Sequence, residues 1–357
     1  MNRRWLTLSC LAALALAACD ESKVTPPPAP SASAPATAAA KLLATMPVAA
    51  PLPKRPAALP ELEEEGALTA EKVHLGKQLF FDKRLSKDGS ASCETCHVPE
   101  KGWTDGKAFS AKVGGAMNTR HSPTLLNVGY NQRWYWDGRA DTLEKNVEAA
   151  WKGNMGADPA AIAASLGKIP GYAVQFKTIF KRDVTGDDIV ASLAAFVRTI
   201  RSGDAPADLY EKGDKKAMGE DAVRGGELFR GKAQCAVCHT PPLYTDLGFH
   251  DVGIGFDKPE PDLGRGKITK DEKENGAFKT PSLRSVSTHP PYFHDARAAT
   301  LEEAVDYMLS GGIKDKNPNL DPRLKPVKLT PAEKADLVAF LKALAPAAQP
   351  FERPKLP

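Results

Sequence analysis

Two five-residue stretches carry the most specific chemistry in the chain: Cys93-Glu94-Thr95-Cys96-His97 and Cys235-Ala236-Val237-Cys238-His239. Cys-x-x-Cys-His is the pattern for covalent attachment of a c-type haem. The spacing sets two thiols beside the two vinyl groups of the porphyrin, and the adjoining imidazole is aimed at the iron as its proximal ligand. A zinc site would need both cysteine pairs gathered at one point, and a thioredoxin-like pair has no use for the trailing histidine. The other two of the six cysteines, Cys10 and Cys19, fall at the extreme N-terminus. Two covalent haem c groups are therefore expected, bound by Cys93, Cys96, Cys235 and Cys238, with His97 and His239 as axial ligands of the irons.

Holding two such groups takes two comparable scaffolds, and the chain repeats itself. Ser122–Ala150 aligns without a gap on Thr280–Met308 at a constant offset of 158 residues. Ten of the 29 positions are identical, among them Pro123/Pro281, Asp137/Asp295, Arg139/Arg297, Thr142/Thr300 and Glu144/Glu302. Self-similarity of this length marks a duplicated structural unit. Gly76-x-x-x-Phe80 precedes the first motif and Gly225-x-x-x-Phe229 the second, and both look like the small-residue helix that opens a cytochrome c fold. Ile189, Leu193, Phe196, Val197 and Ile200 follow helical spacing, as do Leu337, Phe340, Leu341 and Leu344. The latter run opens with Thr330-Pro331-Ala332-Glu333, a capping box with proline at the first helical position. The expected fold is mainly α, with two tandem cytochrome c-like domains at 66–205 and 206–346, each with a covalent c-type haem. A tail, 347–357, follows.

Differences between the repeats suggest different work. Leu301, Ala304, Val305 and Met308 share one helical face, from which the Met308 thioether reaches the open side of the second haem; the alternative is a core-filling methionine. His/Met ligation raises the potential and suits electron transfer. The first repeat has Ala150 at that position, and alanine cannot bind iron. The first haem is then expected to keep an open or labile site, with Met155 and His121 as the other candidate ligands. Trp136 stands where the second repeat has His294, and reads either as core packing or as an electron relay between the haems.

The N-terminus is expected to lie outside the fold. Residues 1–18, with Arg3 and Arg4 before a short apolar run, read as a signal peptide, and Leu16-Ala17-Ala18-Cys19 resembles a lipobox that would leave Cys19 lipidated. Residues 19–65 are rich in proline and alanine and read as an extended tether. No later apolar run approaches the ~20 residues of a membrane span. The location expected is periplasmic, with attachment to a membrane by lipid alone. The formal charge of +4 comes without any Lys/Arg stripe, which argues against a nucleic-acid partner.

Over 66–346 the chain resembles the bacterial di-haem cytochrome c peroxidase and MauG-like superfamily. The resemblance rests on Leu75-Gly76-Lys77-Gln78-Leu79-Phe80-Phe81-Asp82, both haem motifs, Trp136-Asp137-Gly138-Arg139, Asp262-Leu263-Gly264-Arg265, Phe278-Lys279-Thr280-Pro281-Ser282-Leu283-Arg284 and Pro291-Tyr292-Phe293-His294-Asp295. It implies a peroxidatic first haem and an electron-transferring second haem, with Trp136 between them. It also implies hydrogen peroxide as substrate, a small cytochrome c or cupredoxin as electron donor, and a homodimer as in many relatives. Met308 matches the axial methionine of the peroxidases, where MauG has tyrosine. Three departures stand out. The family's distal acid aligns with Asn154, which cannot shuttle a proton, so that Glu148 or Glu144 would have to replace it or turnover be weak. The loop from His97 to Arg120 contains no histidine to act as a displaceable ligand. The family's calcium site uses an asparagine where this chain has His121, and carbonyls at positions matching His289 and Pro291. Imidazole is a poor calcium ligand, so calcium is expected to be weak or absent, with His121 and His289 facing each other. The alternatives to a peroxidase are a non-enzymatic di-haem electron carrier and a MauG-like oxidase of a protein or organic substrate.

Overall fold

Each half is organised around a glycine that lets two helices cross at backbone contact. A computed structural model describes residues 49–62, 65–314, 317 and 319–357. Helix α1, Ala70–Phe81, starts at Thr69, whose hydroxyl accepts from the Lys72 amide. A Cβ on its Gly76 would lie 1.8 Å from the carbonyl oxygen of Ser192, in a later helix, Gly186–Arg198. In the second half, a Cβ on Gly225 would lie 1.9 Å from the carbonyl oxygen of Asp336. Only glycine permits either crossing. Both are closed by aromatic pairs: Phe80 meets Phe196 with centroids 5.2 Å apart, and Phe229 meets Phe340 at 5.1 Å.

In chain order, α1 is followed by α2, Leu143–Met155, α3, Pro159–Leu166, α4, Pro170–Phe180, and α5, Gly186–Arg198. The second half contains α6, Pro206–Glu211, α7, Glu220–Arg230, α8, Gly264–Thr269, α9, Leu301–Leu309, and α10, Pro331–Lys342. One antiparallel pair of short strands, β1 (Phe249–Asp251) and β2 (Ala277–Lys279), sets His250 opposite Phe278. The capping box at Thr330 and Glu333 forms as expected, with Pro331 opening α10. Ile200 and Leu344 lie just beyond the helices their spacing extended, after Thr199 and Ala343 close α5 and α10, yet both remain buried.

The duplication is structural as well as textual. Isolated antiparallel bridges join Trp134 to Ala140 and Tyr292 to Ala298. Left-handed backbone recurs at Asn127 and Ser285, and at Tyr135 and Phe293. Thr142 and Thr300 cap α2 and α9 with their hydroxyls, which fixes the same register in both helices. The helices then differ, because α9 ends one residue after Met308 whereas α2 runs on to Met155 and stops at Gly156. Two hydrophobic cores result. One gathers residues between Val73 and Ile200, the other residues between Ala207 and Leu344.

Two boundaries shift. The end of the 19–65 tether is part of the fold: Leu59 and Leu62 are buried, the Ala58 amide donates to Asp204, and the Tyr130 hydroxyl donates to the Pro60 carbonyl. Two leucines in a proline-rich stretch are enough to dock it. The 347–357 tail also returns to the first core, where Phe351 stacks on Phe81. The expected leader, Cys19 and the tether up to residue 48 lie outside the described residues. Among the described residues, no helix is long and apolar enough to cross a membrane.

Candidate haem centres

The second motif forms a single 3-10 turn, Cys235–Val237, entered through left-handed Gln234. It presents His239 with Nδ1 3.0 Å from the carbonyl oxygen of Tyr244. A carbonyl only accepts, so Nδ1 carries the proton and the Nε2 lone pair is left for a metal. Burial lowers the pKa of this imidazole, which favours that neutral form. His239 and both motif cysteines border a cavity of about 270 Å³. Helix α9 contributes Leu301, Ala304, Val305 and Met308, the four residues expected on one face. Neighbouring Tyr307 is held elsewhere, donating its hydroxyl to the Val252 carbonyl at 2.8 Å and packing on Phe293 at 5.0 Å. Lys279, Arg323 and Lys325 also border the cavity. Apolar walls, two thiols, an oriented imidazole, a thioether and a few cations fit a porphyrin with its two carboxylates.

The first motif is built the same way. Cys93–Thr95 is a 3-10 turn whose capping box joins Ser92 and Thr95. His97 has Nδ1 3.0 Å from the Trp103 carbonyl, and burial again lowers its pKa. The loop that supplies this acceptor is closed by the Val98–Thr104 bridge, and Trp103 itself adopts a left-handed φ of 64°. These residues fit a second haem of the same attachment.

The two copies differ on the helix that closes the repeat. Ala150 occupies on α2 the station that Met308 occupies on α9. Of the other candidate ligands, Met155 is buried in the first hydrophobic core. His121 donates Nδ1–H to the Lys107 carbonyl at 2.8 Å and borders the cavity lined by His239. Asn154 accepts the Val113 amide with its own carbonyl at 2.8 Å. Glu144 is engaged by Arg198 through two contacts of 2.6 and 3.2 Å. Burial works to raise that carboxyl, and the guanidinium overrides it and holds it below the usual range. Glu148 lies half-exposed, 3.3 Å from Lys152 one turn on.

Trp136 is held by contacts from both repeats. Its indole N–H donates to the His121 carbonyl at 2.9 Å, and its own carbonyl accepts the Lys279 amide at 2.8 Å. The His121 amide donates to the His294 carbonyl at 2.7 Å. Trp136 and His294 rings lie 6.3 Å apart, and His294 stacks on Phe278 at 3.6 Å. Arg120 clamps this region, reaching Asp137 and Asp262 at 2.7 Å each. His289 and His294 each bury an Nε2 without a hydrogen-bond partner, His294 Nε2 lying 3.8 Å from an Asp262 carboxylate oxygen, and burial lowers both to about 4. His289 is lowered further by nearby His121, and both border the second cavity.

A family model described as di-haem cytochrome c peroxidase matches residues 70–216. The methylamine utilization protein MauG of Methylorubrum extorquens is 41% identical over 312 residues, covering 85% of this chain and 86% of the relative. This chain belongs to the di-haem cytochrome c peroxidase and MauG family. Cytochrome-c peroxidase IdrP1 of Denitromonas iodatirespirans is 36% identical over 349 residues, covering 88% of this chain and 91% of that one. A solved structure described as a MauG-like protein associated with microbial copper homeostasis superposes with a TM-score of 0.72 and 31% identity, over 85% of this chain and 95% of its own. Membership makes two haem c groups the cofactors and peroxidase-type oxidoreduction the chemistry. The carbonyls of Trp103 and Tyr244 and the Arg120 clamp escape a reading of the sequence. Main-chain acceptors have no residue-type signature, and an arginine shared between residues 137 and 262 shows no local pattern.

Proposed function

We propose that the chain reduces hydrogen peroxide to water in the periplasm, in two haem domains at 66–205 and 206–346. Two electrons and two protons convert one peroxide to two waters. The haem irons, once bound, supply the redox centres and the site where the O–O bond is cleaved. Cys93, Cys96, Cys235 and Cys238 would attach the two groups. His97 and His239 would ligate through Nε2, each oriented by its carbonyl.

The observation that carries this reading is the pairing of Met308 with Ala150. A thioether bordering the same cavity as His239 suits a stable electron-transfer centre. An alanine at the same station leaves room for a small substrate at the first. Electrons would enter at the second domain from a small cytochrome c or cupredoxin and cross at Trp136. Its N–H is given to a carbonyl, which cannot accept the proton outright, so an oxidised indole keeps it and returns readily to its starting state. With Glu144 tied to Arg198, Glu148 is the remaining carboxylate of α2 able to deliver a proton, and Asn154 orients by hydrogen bonding only. His121 at the interdomain position makes tight calcium binding unfavourable. Lipidated Cys19 would tether the protein to a membrane.

The test is steady-state peroxide consumption with a reduced donor. No turnover by either the oxidised or the half-reduced protein would overturn the reading and leave a di-haem electron carrier. The 41% identity to a methylamine utilization protein favours a second reading, a MauG-like oxidase. Peroxide-dependent oxidation of a protein or organic substrate, without consumption of a reduced donor, would select it.

A further inference from the structure

The C-terminal segment returns to the first haem motif from the far half of the molecule. It leaves α10, whose Leu337 and Leu341 border the second cavity, and reaches the first motif after residues 343–350. Phe351 then stacks on Phe81 at 5.4 Å and meets the Trp103 indole edge-on at 5.1 Å, with the Lys77 ammonium 4.6 Å over its ring. Arg353 pairs with Glu94, which sits between the two haem cysteines, and with Glu100 at 2.8 and 2.9 Å. The Lys355 carbonyl accepts from Gln78, and the Pro357 carbonyl from Arg84.

These contacts converge on the loop that orients His97. Trp103 supplies the carbonyl that accepts the His97 proton, and does so from a left-handed conformation that a bulky side chain holds only when its surroundings enforce it. Glu94 and Glu100 lie on either side of His97 in the chain. The second loop is braced from within its own half instead, where Arg284 donates to the Pro242 carbonyl at 2.6 Å and lies 5.7 Å over the Tyr244 ring.

We propose that Phe351 and Arg353 are positioning residues for the first haem, clamping Trp103 and the motif loop so that the His97–Trp103 hydrogen bond keeps its geometry. The inference rests on His97 being the ligand of the first iron. A hydrogen bond at Nδ1 strengthens the imidazole as a donor at Nε2, and such outer partners set both activity and potential. Loosening the clamp weakens that donor, which raises the first haem's reduction potential and lowers its iron–histidine stretching frequency.

The experiment compares full-length, haem-loaded Phe351→Ala, Arg353→Ala, Phe351→Tyr and Arg353→Lys proteins by resonance Raman spectroscopy of the ferrous state and by redox titration. Both alanine variants should lower the first haem's iron–histidine band, raise its potential and cut peroxide turnover about tenfold. The second haem should be unmoved, and the tyrosine and lysine variants should stay near the parent. An unmoved first-haem band and potential in both alanine variants, or equal shifts at both haems, would overturn the proposal. A His97→Tyr protein that keeps the parent's first-haem band would instead overturn the ligand assignment beneath it.

Discussion

Ala150 and Met308 occupy the same station on equivalent helices, each eight positions after a threonine whose hydroxyl caps the helix, Thr142 or Thr300. One duplicated scaffold thus carries a thioether that borders the cavity beside His239 in one copy and a methyl group at the matching position in the other. The two copies differ at this pair, whereas the attachment motifs are built alike down to the carbonyl that orients each histidine.

Ala150→Met should close the first centre. The variant supplies the missing thioether at a matched position, so it competes with peroxide. An advantage of ~1.4 kcal/mol for the thioether already costs about tenfold in peroxide reactivity. The measurement is the rate of peroxide reaction with the half-reduced protein by stopped flow. An unchanged rate with an unchanged first-haem spectrum would show that α2 does not face that iron.

Trp136→Phe keeps an aromatic ring in place and removes the N–H donated to His121. The His121 carbonyl then loses its indole partner, at a cost of about 1–3 kcal/mol in stability if it stays dry. Donor-dependent turnover should fall while peroxide binding holds, a split visible as lowered kcat with little change in KM. Loss in KM alone would mean that the indole packs and does not relay.

The attachment motifs, the repeat, the α10 capping box and the Met308 face can all be read from residue type and spacing, because each is a local pattern. Other features turn on partners distant in the chain. Arg353 finds Glu94 across 259 positions, and Arg120 finds Asp262 across 142. Nothing near Leu59 and Leu62 in a proline-rich stretch signals that the first half has room for them. His121 reads from sequence as a candidate ligand for the first iron, yet it borders the cavity lined by His239; its direction depends on the Lys107 carbonyl, which has no side-chain signature.

Asn154→Glu should raise peroxide turnover, by about 10²-fold where the new carboxyl reaches the reacting oxygen, since a placed acid is worth 10²–10⁴. Glu148→Gln should lower turnover in the parent but have little effect in the Asn154→Glu background. Steady-state rates of the two single variants and the double variant test this. If Glu148→Gln leaves the parent rate untouched, Glu148 is only a solvated residue paired with Lys152.

Acid should destabilise the interdomain region in a defined window. His289 and His294 are buried, and burial lowers each to about 4 from the ordinary 6.5. Between these values the unfolded chain binds the proton and the folded protein does not, so stability rises with pH across that window and is lost as pH falls from 6.5 towards 4. Each imidazole adds at most ~1.4 kcal/mol per pH unit to the slope. Denaturant unfolding of the holoprotein between pH 4.5 and 7 should show the slope, and His294→Phe should reduce it by one residue's share. A slope unchanged by the substitution would mean that His294 does not resist protonation.

The most direct test of two unequal haems is electron paramagnetic resonance of the resting ferric protein, with and without Met308→Ala. The parent should show one high-spin and one low-spin ferric signal, and the variant should convert the low-spin signal while leaving the high-spin one in place. Two low-spin signals in the parent, or a variant in which only the high-spin signal changes, would contradict the assignment of Met308 to the second iron and of an open site to the first.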